Sequence, residues 1–379
     1  MKMPETTRRG FLAGGAAALC AVCGGCGIAE NEAKKGRAYS VPVLGDIHFD
    51  SPDKAFYHSL YTHSTTKKRY MAHLAEHVRN AEMWSERMPD LVRASAACMQ
   101  SGDAFALQLG DLIQGDCGDG NVHKRMLNDA FSFVKQAYGG KLPLLTVPGN
   151  HDIRGDIEGD LARETFEKWY PATMAKELGA DVQGAAFSFR QGPDVFLFVD
   201  FNEPRPDLAQ IKKLLEQSED ARYTFIVSHG PVIPSGPSRW FLFGEKSRDE
   251  ERRVLRSLLA RRNAIALCGH THRTEFIDCT FKEGRIRQFV FNSVWTKRKL
   301  AAAGATCEGA DSFGGRAFAP DASPEVAAKM AHVAEYRPFV KDYYLSSAAG
   351  HYRLEIADSG VKIAFYGGDA TSPRQIWRL

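Results

Sequence analysis

A short apolar run, Pro143-Leu144-Leu145-Thr146, leads into the stretch Val147-Pro148-Gly149-Asn150-His151-Asp152. The apolar run predicts a buried strand, and the Pro148-Gly149 pair predicts the turn that ends it. Three side chains that can bind a metal ion or move a proton follow this turn directly. Because the ligands of open α/β sheets gather where strands end at their carboxyl edge, the stretch predicts a functional site at that edge.

Other predicted strands end in the same way, with glycine, aspartate or histidine directly after an apolar run. These strands and the side chains behind them are 39–44 with Asp46 and His48, 104–109 with Asp111, 223–228 with His229, and 264–268 with His270 and His272. Taken alone, a pair such as Asp46 and His48 also fits a turn aspartate beside a surface histidine. The repetition predicts a metal centre, because carboxylate oxygens and imidazole nitrogens are common ligands of divalent ions.

The number of donors predicts a centre with two metal ions. Seven oxygen and nitrogen donors follow the strands, which is more than one ion needs. A two-metal site commonly shares one ligand between its ions, and the Asp111 carboxylate is the candidate for this bridge. A hydroxide held between the ions is the expected nucleophile, since metal binding lowers the pKa of water towards neutrality.

Elsewhere the hydrophobic periodicity predicts helices that alternate with the strands. Helices are expected at 68–84, 89–99, 121–138, 157–178, 206–216, 247–262 and 324–336, and antiparallel strand pairs at 186–190 with 195–201, 274–279 with 286–291, and 352–356 with 361–366. Residues 49–70 are predicted to be a long loop, and 296–320 are poorly patterned. Asn121 is the candidate N-cap of its helix. His58 is expected to be solvated or to face the substrate rather than to bind a metal, and Asp116 is expected to form a turn rather than to act as a ligand.

The order of the strand-end blocks resembles that of the calcineurin-like metallophosphoesterases, over residues 41–292. The blocks are Asp46-x-His48, Gly110-Asp111, Gly149-Asn150-His151-Asp152, His229, and Gly269-His270-Thr271-His272. The resemblance implies a four-layer α/β/β/α sandwich with mixed sheets and a dinuclear site at the carboxyl edges of the strands. It also implies a metal-dependent hydrolase of phosphate mono- or diesters.

The same resemblance implies a role for each matching residue. It assigns the first metal to Asp46, His48 and His272, the second to Asn150, His229 and His270, and the bridge to Asp111. His151 would face the scissile phosphate, where it would stabilise developing charge or protonate the leaving oxygen, and Asp152 would orient His151. The alternative for His151 is a structural histidine in the turn.

One position departs from a subgroup of the family and bears on the metal. The purple acid phosphatases place a tyrosine ligand three residues after the bridging aspartate, where this chain has Gln114. An iron-tyrosinate centre is therefore not expected. Manganese, iron(II) and zinc stay open, because sites with mixed oxygen and nitrogen ligands accept several divalent ions.

The substrate is the least determined part of the prediction. We expect its pocket to be walled by 49–70, Ile153-Arg154 and 231–245, with Arg154 or Arg239 holding a second phosphate or carboxylate and Trp240 stacking on a base or sugar. Solvated surface loops are the alternative. The chain contains neither a Gly-x-Ser-x-Gly elbow nor a phosphate-binding Gly-x4-Gly-Lys-Ser/Thr loop, which disfavours a serine hydrolase or an NTPase.

Several functions remain open at this point. Within the enzyme class they are a nucleotide or cyclic-nucleotide phosphodiesterase and a phosphatase of sugar, lipid or protein phosphates. The alternative outside it is a non-catalytic envelope protein that keeps the fold as a binding surface. The chain has 379 residues, of which 25% are charged, and its net charge of +3 gives no indication of a nucleic-acid partner.

The N-terminus predicts export. Thr7-Arg8-Arg9-Gly10-Phe11-Leu12 resembles the twin-arginine (Tat) motif, and an apolar stretch extends from Phe11 to Val22. We expect residues 1–26 to be a signal peptide read by the Tat machinery, 27–38 a linker, and 39–379 the phosphoesterase domain, in a periplasmic or other extracytoplasmic location. Cys26 is a possible lipid attachment site, which would make the protein membrane-anchored. The alternative is a basic N-terminus followed by a buried helix.

Overall fold

The computed structural model of the protein describes residues 20–22, 38–53, 55–62, 67–155, 161–204, 206–302, 304–318 and 323–379. The predicted twin-arginine motif and Cys26 lie outside these residues, as does the predicted linker except for Ala38. Within the described residues, the strands are β1 (Cys20–Val22), β2 (Tyr39–Leu44), β3 (Ala106–Gln108), β4 (Leu144–Thr146), β5 (Phe187–Gln191), β6 (Asp194–Val199), β7 (Thr224–Ser228), β8 (Ile265–Cys268), β9 (Thr274–Thr280), β10 (Arg285–Val290), β11 (Ala305–Glu308), β12 (Val340–Ser346), β13 (Gly350–Ala357), β14 (Gly360–Gly367) and β15 (Gln375–Arg378).

The described helices lie in the connections between these strands. They are α1 (Ala55–Thr62), α2 (Lys67–Glu86), α3 (Met88–Ala97), α4 (Gly120–Ala137), α5 (Leu161–Leu178), α6 (Leu208–Glu216), α7 (Asp249–Arg261), α8 (Pro324–Lys329) and α9 (Ala331–Ala334), with short 3-10 turns at Lys246–Arg248, Arg298–Ala302, Ala310–Ser312, Gly315–Phe318 and Arg337–Phe339. Among the helices that the structure describes, none combines the length and the apolar composition needed to cross a bilayer.

The strands form two mixed sheets. Among the described strands, the larger sheet has the order β1-β5-β6-β7-β8-β10-β9-β12-β11 and the smaller has the order β15-β14-β13-β2-β3-β4. Neighbouring strands run parallel from β2 to β4 and from β6 through β8 to β10, and antiparallel elsewhere. Helical crossovers connect four of the parallel pairs: α1 to α3 connect β2 with β3, α4 connects β3 with β4, α6 connects β6 with β7, and α7 connects β7 with β8. Strand β9 lies between β8 and β10 in the chain.

Strand β6 shows how the layers are stacked. Phe196 and Phe198 belong to the buried cluster that also contains the strands of the smaller sheet, whereas the alternate residues Val195, Leu197 and Val199 belong to a second buried cluster with α6 and α7. Because side chains alternate across a strand, the larger sheet is covered on both faces. Helix α3 contacts β2 and α5 contacts β4 on the smaller sheet. The predicted four-layer α/β/β/α sandwich is confirmed.

The register of the parallel strands aligns their carboxyl ends. Leu44 pairs with Gln108 in the smaller sheet, and Gln108 pairs with Thr146. In the larger sheet Ser228 pairs with Cys268. The loops that carry the predicted ligands therefore all leave from one edge of the sandwich.

Several local predictions differ from the structure. The region 49–70, predicted as a loop, contains helix α1. Strands β11, β12 and β15 were not predicted, and the N-cap of α4 is Asp119, whose side chain accepts from the backbone of Asn121 and Val122, rather than Asn121. The short strand β1 falls within the predicted signal peptide and pairs with β5 at the edge of the larger sheet.

Candidate metal centre

The loops behind the strands hold an unusual backbone conformation. His48, Asp111, His270 and His272 have φ values of +44°, +49°, +74° and +51°. Side chains other than glycine rarely adopt positive φ, because the Cβ atom is crowded against the backbone. Such residues cluster at functional sites, where the surrounding structure holds the strained conformation in place. The strained backbone at these four predicted ligands therefore indicates that the placement of their side chains serves a function, at a cost to the stability of the loops.

Glycines next to the ligands allow the loops to approach one another. A Cβ atom on Gly149 would overlap the backbone nitrogen and Oδ1 of Asp111, and one on Gly269 would overlap Oδ1 of Asp46. These two glycines follow strands of different sheets, and each faces an aspartate that follows another strand. They let the carboxylates of one loop pack directly against the backbone of the next.

A first group of donors joins the two sheets. Asp46, His48, Asp111 and His272 each offer an atom, and these atoms lie within 4.8 Å of one another. His48 Nε2 is 3.0 Å from His272 Nε2, and His272 Nε2 is 3.1 Å from Asp46 Oδ2. Two imidazole nitrogens and a carboxylate oxygen converging at this distance fit a divalent transition metal.

A second group shares Asp111 with the first. It consists of Asp111, His229 and His270, and again the donor atoms lie within 4.8 Å of one another. His229 Nε2 is 3.2 Å from both Asp111 Oδ2 and His270 Nδ1. Since Asp111 belongs to both groups, its carboxylate occupies the position of the predicted bridge.

The side chain of Asn150 is in a state that suits a metal ligand. Its Oδ1 is buried and accepts no hydrogen bond within the part of the chain that the structure describes. A buried carbonyl oxygen without a partner is costly, and a cation would remove that cost. The residues present therefore suit the divalent metals that the sequence predicts.

The charges of the cluster are strongly coupled. Burial would raise the pKa of Asp111, but His229, His151 and His48 outweigh it and hold this pKa well below its usual value. Burial lowers the pKa of His270 to about 3, and burial followed by His151 lowers that of His48. Both rings are therefore neutral at pH 7, which is the form that binds metal.

The pKa of His229 is shifted in the opposite direction to those of His48 and His270. Burial would lower its pKa, but the carboxylates of Asp111 and Asp46 outweigh this and raise it to about 10. Its Nδ1 donates to the carbonyl oxygen of Leu109 at 2.6 Å, so that Nε2 faces Asp111. Nε2 would hold a metal ion only in its deprotonated form.

His151 lies beside the donors without belonging to either group. Its ring centroid is 4.4 Å from that of His48, and its backbone N–H donates to Asp111 Oδ1 at 2.8 Å. Nδ1 faces the carbonyl oxygen of Gln114 at 3.0 Å, so Nδ1 carries the proton and Nε2 is left for a substrate. Burial lowers the pKa of this ring.

Asp152 does not make the predicted contact with the ring of His151. Its carboxylate accepts from the backbone N–H groups of Ile113 and Gly149, at 3.1 and 2.8 Å. It therefore fixes the loop that carries Asn150 and His151, and the atom that orients the His151 ring is the carbonyl oxygen of Gln114. Burial, followed by repulsion from Asp111, raises the pKa of Asp152 to about 7.

The three predicted substrate-binding residues differ in what they contact. Trp240 is 58% exposed, and its ring stacks on His270 at 5.6 Å between centroids. Arg239 is paired with Asp249 and donates to the carbonyl oxygen of Gly244. Arg154 is paired with Glu76 and Asp116 at 3.0 and 2.9 Å. Both guanidinium groups thus have carboxylate partners within the protein.

A cavity of about 490 Å³ opens beside Trp240 and His270. Its walls include part of the predicted 231–245 loop, but none of the described residues of 49–70 or 153–154 lines it. The sequence did not indicate the opposite wall, which contains Arg273, Glu275 and Tyr343. Glu275 is buried and accepts from the hydroxyls of Ser235 and Tyr343, both at 3.0 Å.

The comparison with protein families agrees with the fold and the donor groups. The model of the calcineurin-like phosphoesterase family matches residues 40–274, which is more than half of the chain. The chain therefore belongs to the calcineurin-like phosphoesterase family. Among curated proteins, none matches the chain significantly.

Several solved structures are similar at low identity. The purple acid phosphatase PPD1 from yellow lupin (Lupinus luteus) has 12% identity and a TM-score of 0.48, over 91% of this chain and 54% of that one. PhoD has 11% identity and a TM-score of 0.49, over 91% and 69%. A dimetal phosphatase from Danio rerio has 14% identity and a TM-score of 0.46, over 87% and 96%. This chain thus spans about half the length of the lupin protein.

Proposed function

We propose that the protein hydrolyses phosphate mono- or diesters at a dinuclear metal centre. The observation that carries this proposal is the pair of donor groups that share Asp111. One group fits an ion held by Asp46, His48 and His272, and the other fits an ion held by His229, His270 and Asn150. Manganese, iron(II) and zinc all suit such mixed oxygen and nitrogen ligands.

When bound, two divalent ions would supply positive charge for the phosphoryl oxygens and lower the pKa of the attacking water. The residues of the chain hold these charges in place. Burial of Asp46, His48, Asp111 and His229 at 1% exposure or less keeps bulk water away from the donors. Electrostatic interactions are stronger in such a site than in water. The site therefore stabilises the charge that develops on the phosphoryl oxygens in the transition state.

His151 is the candidate catalytic residue of the chain itself. Its Nε2 is the ring nitrogen left for the substrate, because Nδ1 faces a backbone carbonyl. The negative charge of a bound phosphate ester would raise the lowered pKa of this ring and favour its protonated form. A protonated His151 would then stabilise the phosphoryl oxygens or give a proton to the leaving oxygen.

The cavity beside the metal centre is the proposed place for the alcohol part of the ester. It shares His270 with the second donor group, so a phosphate at that group would be continuous with the cavity. The exposed ring of Trp240 at its entrance favours a planar or apolar alcohol, since such groups stack on aromatic rings. The cavity and the Trp240 ring therefore favour a substrate whose phosphate is esterified to a sizeable organic group, rather than an inorganic phosphate compound.

The test is restoration of activity in the metal-stripped protein. Manganese, zinc or iron(II) is added singly, and hydrolysis of p-nitrophenyl phosphate is measured beside that of bis-p-nitrophenyl phosphate. We expect metal-dependent turnover in the wild type and a loss of about a hundredfold or more in Asp111→Asn. The ester that is preferred then separates a monoesterase from a diesterase.

The matched control is Asp119→Asn. Asp119 caps α4 outside the metal centre, and asparagine caps a helix about as well as aspartate. This variant should keep wild-type turnover. Full metal binding without turnover on either ester would instead favour the envelope binding protein.

We further propose that the protein is exported through the Tat pathway to the periplasm or another extracytoplasmic site. The proposal is supported by the Arg8-Arg9 pair before the apolar stretch that extends from Phe11 to Val22. Fractionation of cells that express the wild type and the double variant Arg8→Lys, Arg9→Lys tests it. Retention of the double variant in the cytoplasm is expected, and equal export of both proteins would contradict it. Lipid labelling of the wild type, with Cys26→Ala as the control, tests the proposed anchor.

A further inference from the structure

A second cluster of metal-binding residue types lies outside the dinuclear centre. Asp50, His58 and His77 each offer one donor atom, and these atoms lie within 4.8 Å of one another. All three are buried, with exposed fractions of 2%, 0% and 0%. The prediction that His58 is solvated is therefore wrong.

The hydrogen bonds of His58 define which of its nitrogens can bind an ion. Nδ1 lies 2.9 Å from the carbonyl oxygen of Asp116, and a carbonyl oxygen only accepts, so Nδ1 carries the proton. In a neutral ring Nε2 then presents a lone pair to Asp50, whose Oδ1 and Oδ2 are 3.0 and 3.1 Å away. Metal-bound histidines commonly donate their other N–H to a backbone carbonyl in this way.

A nitrogen lone pair and a carboxylate oxygen repel each other at this distance, because both are electron-rich. A positive charge between them, either a proton or a metal ion, would remove the repulsion. A second proton on His58 would satisfy Asp50 and give a simple ion pair. It would not explain why a second imidazole, that of His77, offers a donor atom within 4.8 Å of those of Asp50 and His58 in the same buried place. The His77 ring is 4.5 Å from that of His58, and His77 Nε2 is 3.5 Å from Asp116 Oδ2.

The spacing of these atoms suits one ion. Metal bonds of about 2.0–2.2 Å in a tetrahedral arrangement separate the ligand atoms by about 3.3–3.6 Å. The separation of 3.5 Å between His77 Nε2 and Asp116 Oδ2 lies within that range, and that of 3.0 Å between His58 Nε2 and Asp50 Oδ1 is about 0.3 Å below it. Asp116 is fully buried, and its Oδ1 accepts no hydrogen bond among the described residues, while Oδ2 also pairs with Arg154.

We propose that Asp50, His58 and His77 bind a third divalent metal ion, of the zinc type, with Asp116 beside His77 as the candidate fourth ligand. Together, two imidazole nitrogens and two carboxylate oxygens would form a closed four-coordinate set, which is typical of structural rather than catalytic metal sites. Two aspartates balance the charge of one divalent ion. The site shares no ligand with the dinuclear centre and does not depend on the proposed hydrolysis.

The ion would join four separate segments. His58 lies on α1, His77 on α2, Asp50 two residues after His48, and Asp116 five residues after Asp111. The two loops already run side by side, since Phe49 N–H donates to Leu112 and Gln114 N–H donates to Phe49. The ion would thus attach the two helices to the loops that carry ligands of the dinuclear centre.

Metal content and position test this proposal in the full chain. The metal-free protein is loaded with Zn²⁺, excess ion is removed, and bound zinc per chain is measured for the wild type, His77→Leu and His351→Leu. His351 is the matched control, because it is a fully buried histidine whose Nε2 lies 2.9 Å from the carbonyl oxygen of Ala370. We expect His77→Leu to bind one zinc ion fewer than the other two proteins. Equal zinc content in all three would overturn the proposal.

A crystal of the zinc-loaded wild type provides a test that does not depend on the folding of a variant. Anomalous scattering at the zinc edge should give a peak between Asp50, His58 and His77, in addition to density at the dinuclear centre. Peaks at the dinuclear centre alone would show that His58 and Asp50 form only an ion pair. Asp116→Asn should weaken zinc binding at the third site by about 10- to 100-fold if Asp116 is its fourth ligand.

Discussion

Asp111 Oδ2 lies 3.2 Å from His229 Nε2, although Asp111 follows a strand of the smaller sheet and His229 follows a strand of the larger one. The contact spans the line where the carboxyl edges of the two sheets meet. Neither sheet alone carries both donor groups. The metal centre therefore depends on how the two sheets are packed. Substitutions where the carboxyl edges of the sheets meet are the most informative about the centre.

We predict that His151→Ala loses activity without losing metal. The ring belongs to neither donor group, so metal content should stay at the wild-type value. Loss of a group that donates a proton or stabilises charge should lower kcat by about 100- to 10,000-fold. Metal analysis beside steady-state kinetics checks this. A variant that keeps most of the wild-type kcat would show that His151 is a structural residue of the turn.

Gly149→Ala should damage the metal centre through packing alone. The added Cβ would overlap Asp111 and push its carboxylate away from both donor groups. We expect unfolding free energy to fall by about 1–3 kcal/mol, with weaker metal binding. Denaturant unfolding and metal titration measure the two effects. Gly184→Ala is the control, because a Cβ there meets no atom within 4 Å. Equal behaviour of the two variants would contradict the close approach at Asp111.

Trp240→Ala should change the choice of substrate more than the chemistry. The ring is exposed and stacks on His270 at the cavity, so its removal should cost little stability. For an ester with an aromatic alcohol we expect KM to rise about two- to tenfold, from the loss of one stacking interaction. A small aliphatic phosphate ester should be affected less. If both esters respond equally, the alcohol does not contact Trp240.

Glu275 should make stability depend on pH. Burial raises its pKa in the folded protein to about 7, from an ordinary value of 4.5. Between these two values the folded state holds one proton more than the unfolded state, so a rise in pH favours unfolding. The wild type should lose up to about 3 kcal/mol from this group between about pH 4.5 and 7.

Urea unfolding at several pH values tests this prediction in Glu275→Gln. The variant should lack this part of the pH dependence, whereas Glu325→Gln should keep it, because the Glu325 side chain is 80% exposed. A wild-type curve parallel to that of Glu275→Gln through this window would mean that Glu275 is not held in its neutral form.

The sequence predicted the strand ends well because their signal is local. An apolar run followed by glycine and a ligand can be read within a few residues, and β2 was predicted with its observed bounds. Strand β12 was missed, since its sequence Val340–Ser346 mixes charged and aromatic residues that become a strand only by pairing with β9 and β11.

The remaining differences concern residues whose environment is set by distant parts of the chain. His58 is buried because α1 folds back beside α2, and nothing within its own segment indicates this. Arg154 and Arg239 were predicted to bind substrate from their place in loops, but their carboxylate partners come from other segments. The Asp119 cap was misplaced by two residues, which is the usual uncertainty at a helix end.

An anomalous difference map of the active protein would locate its metal ions and so test the dinuclear centre itself. Crystals are loaded with the ion that restores hydrolysis best. We expect two peaks about 3.5–4 Å apart, one among Asp46, His48 and His272 and the other among Asn150, His229 and His270, with Asp111 bound to both. A single peak, or two peaks that do not share Asp111, would contradict this expectation.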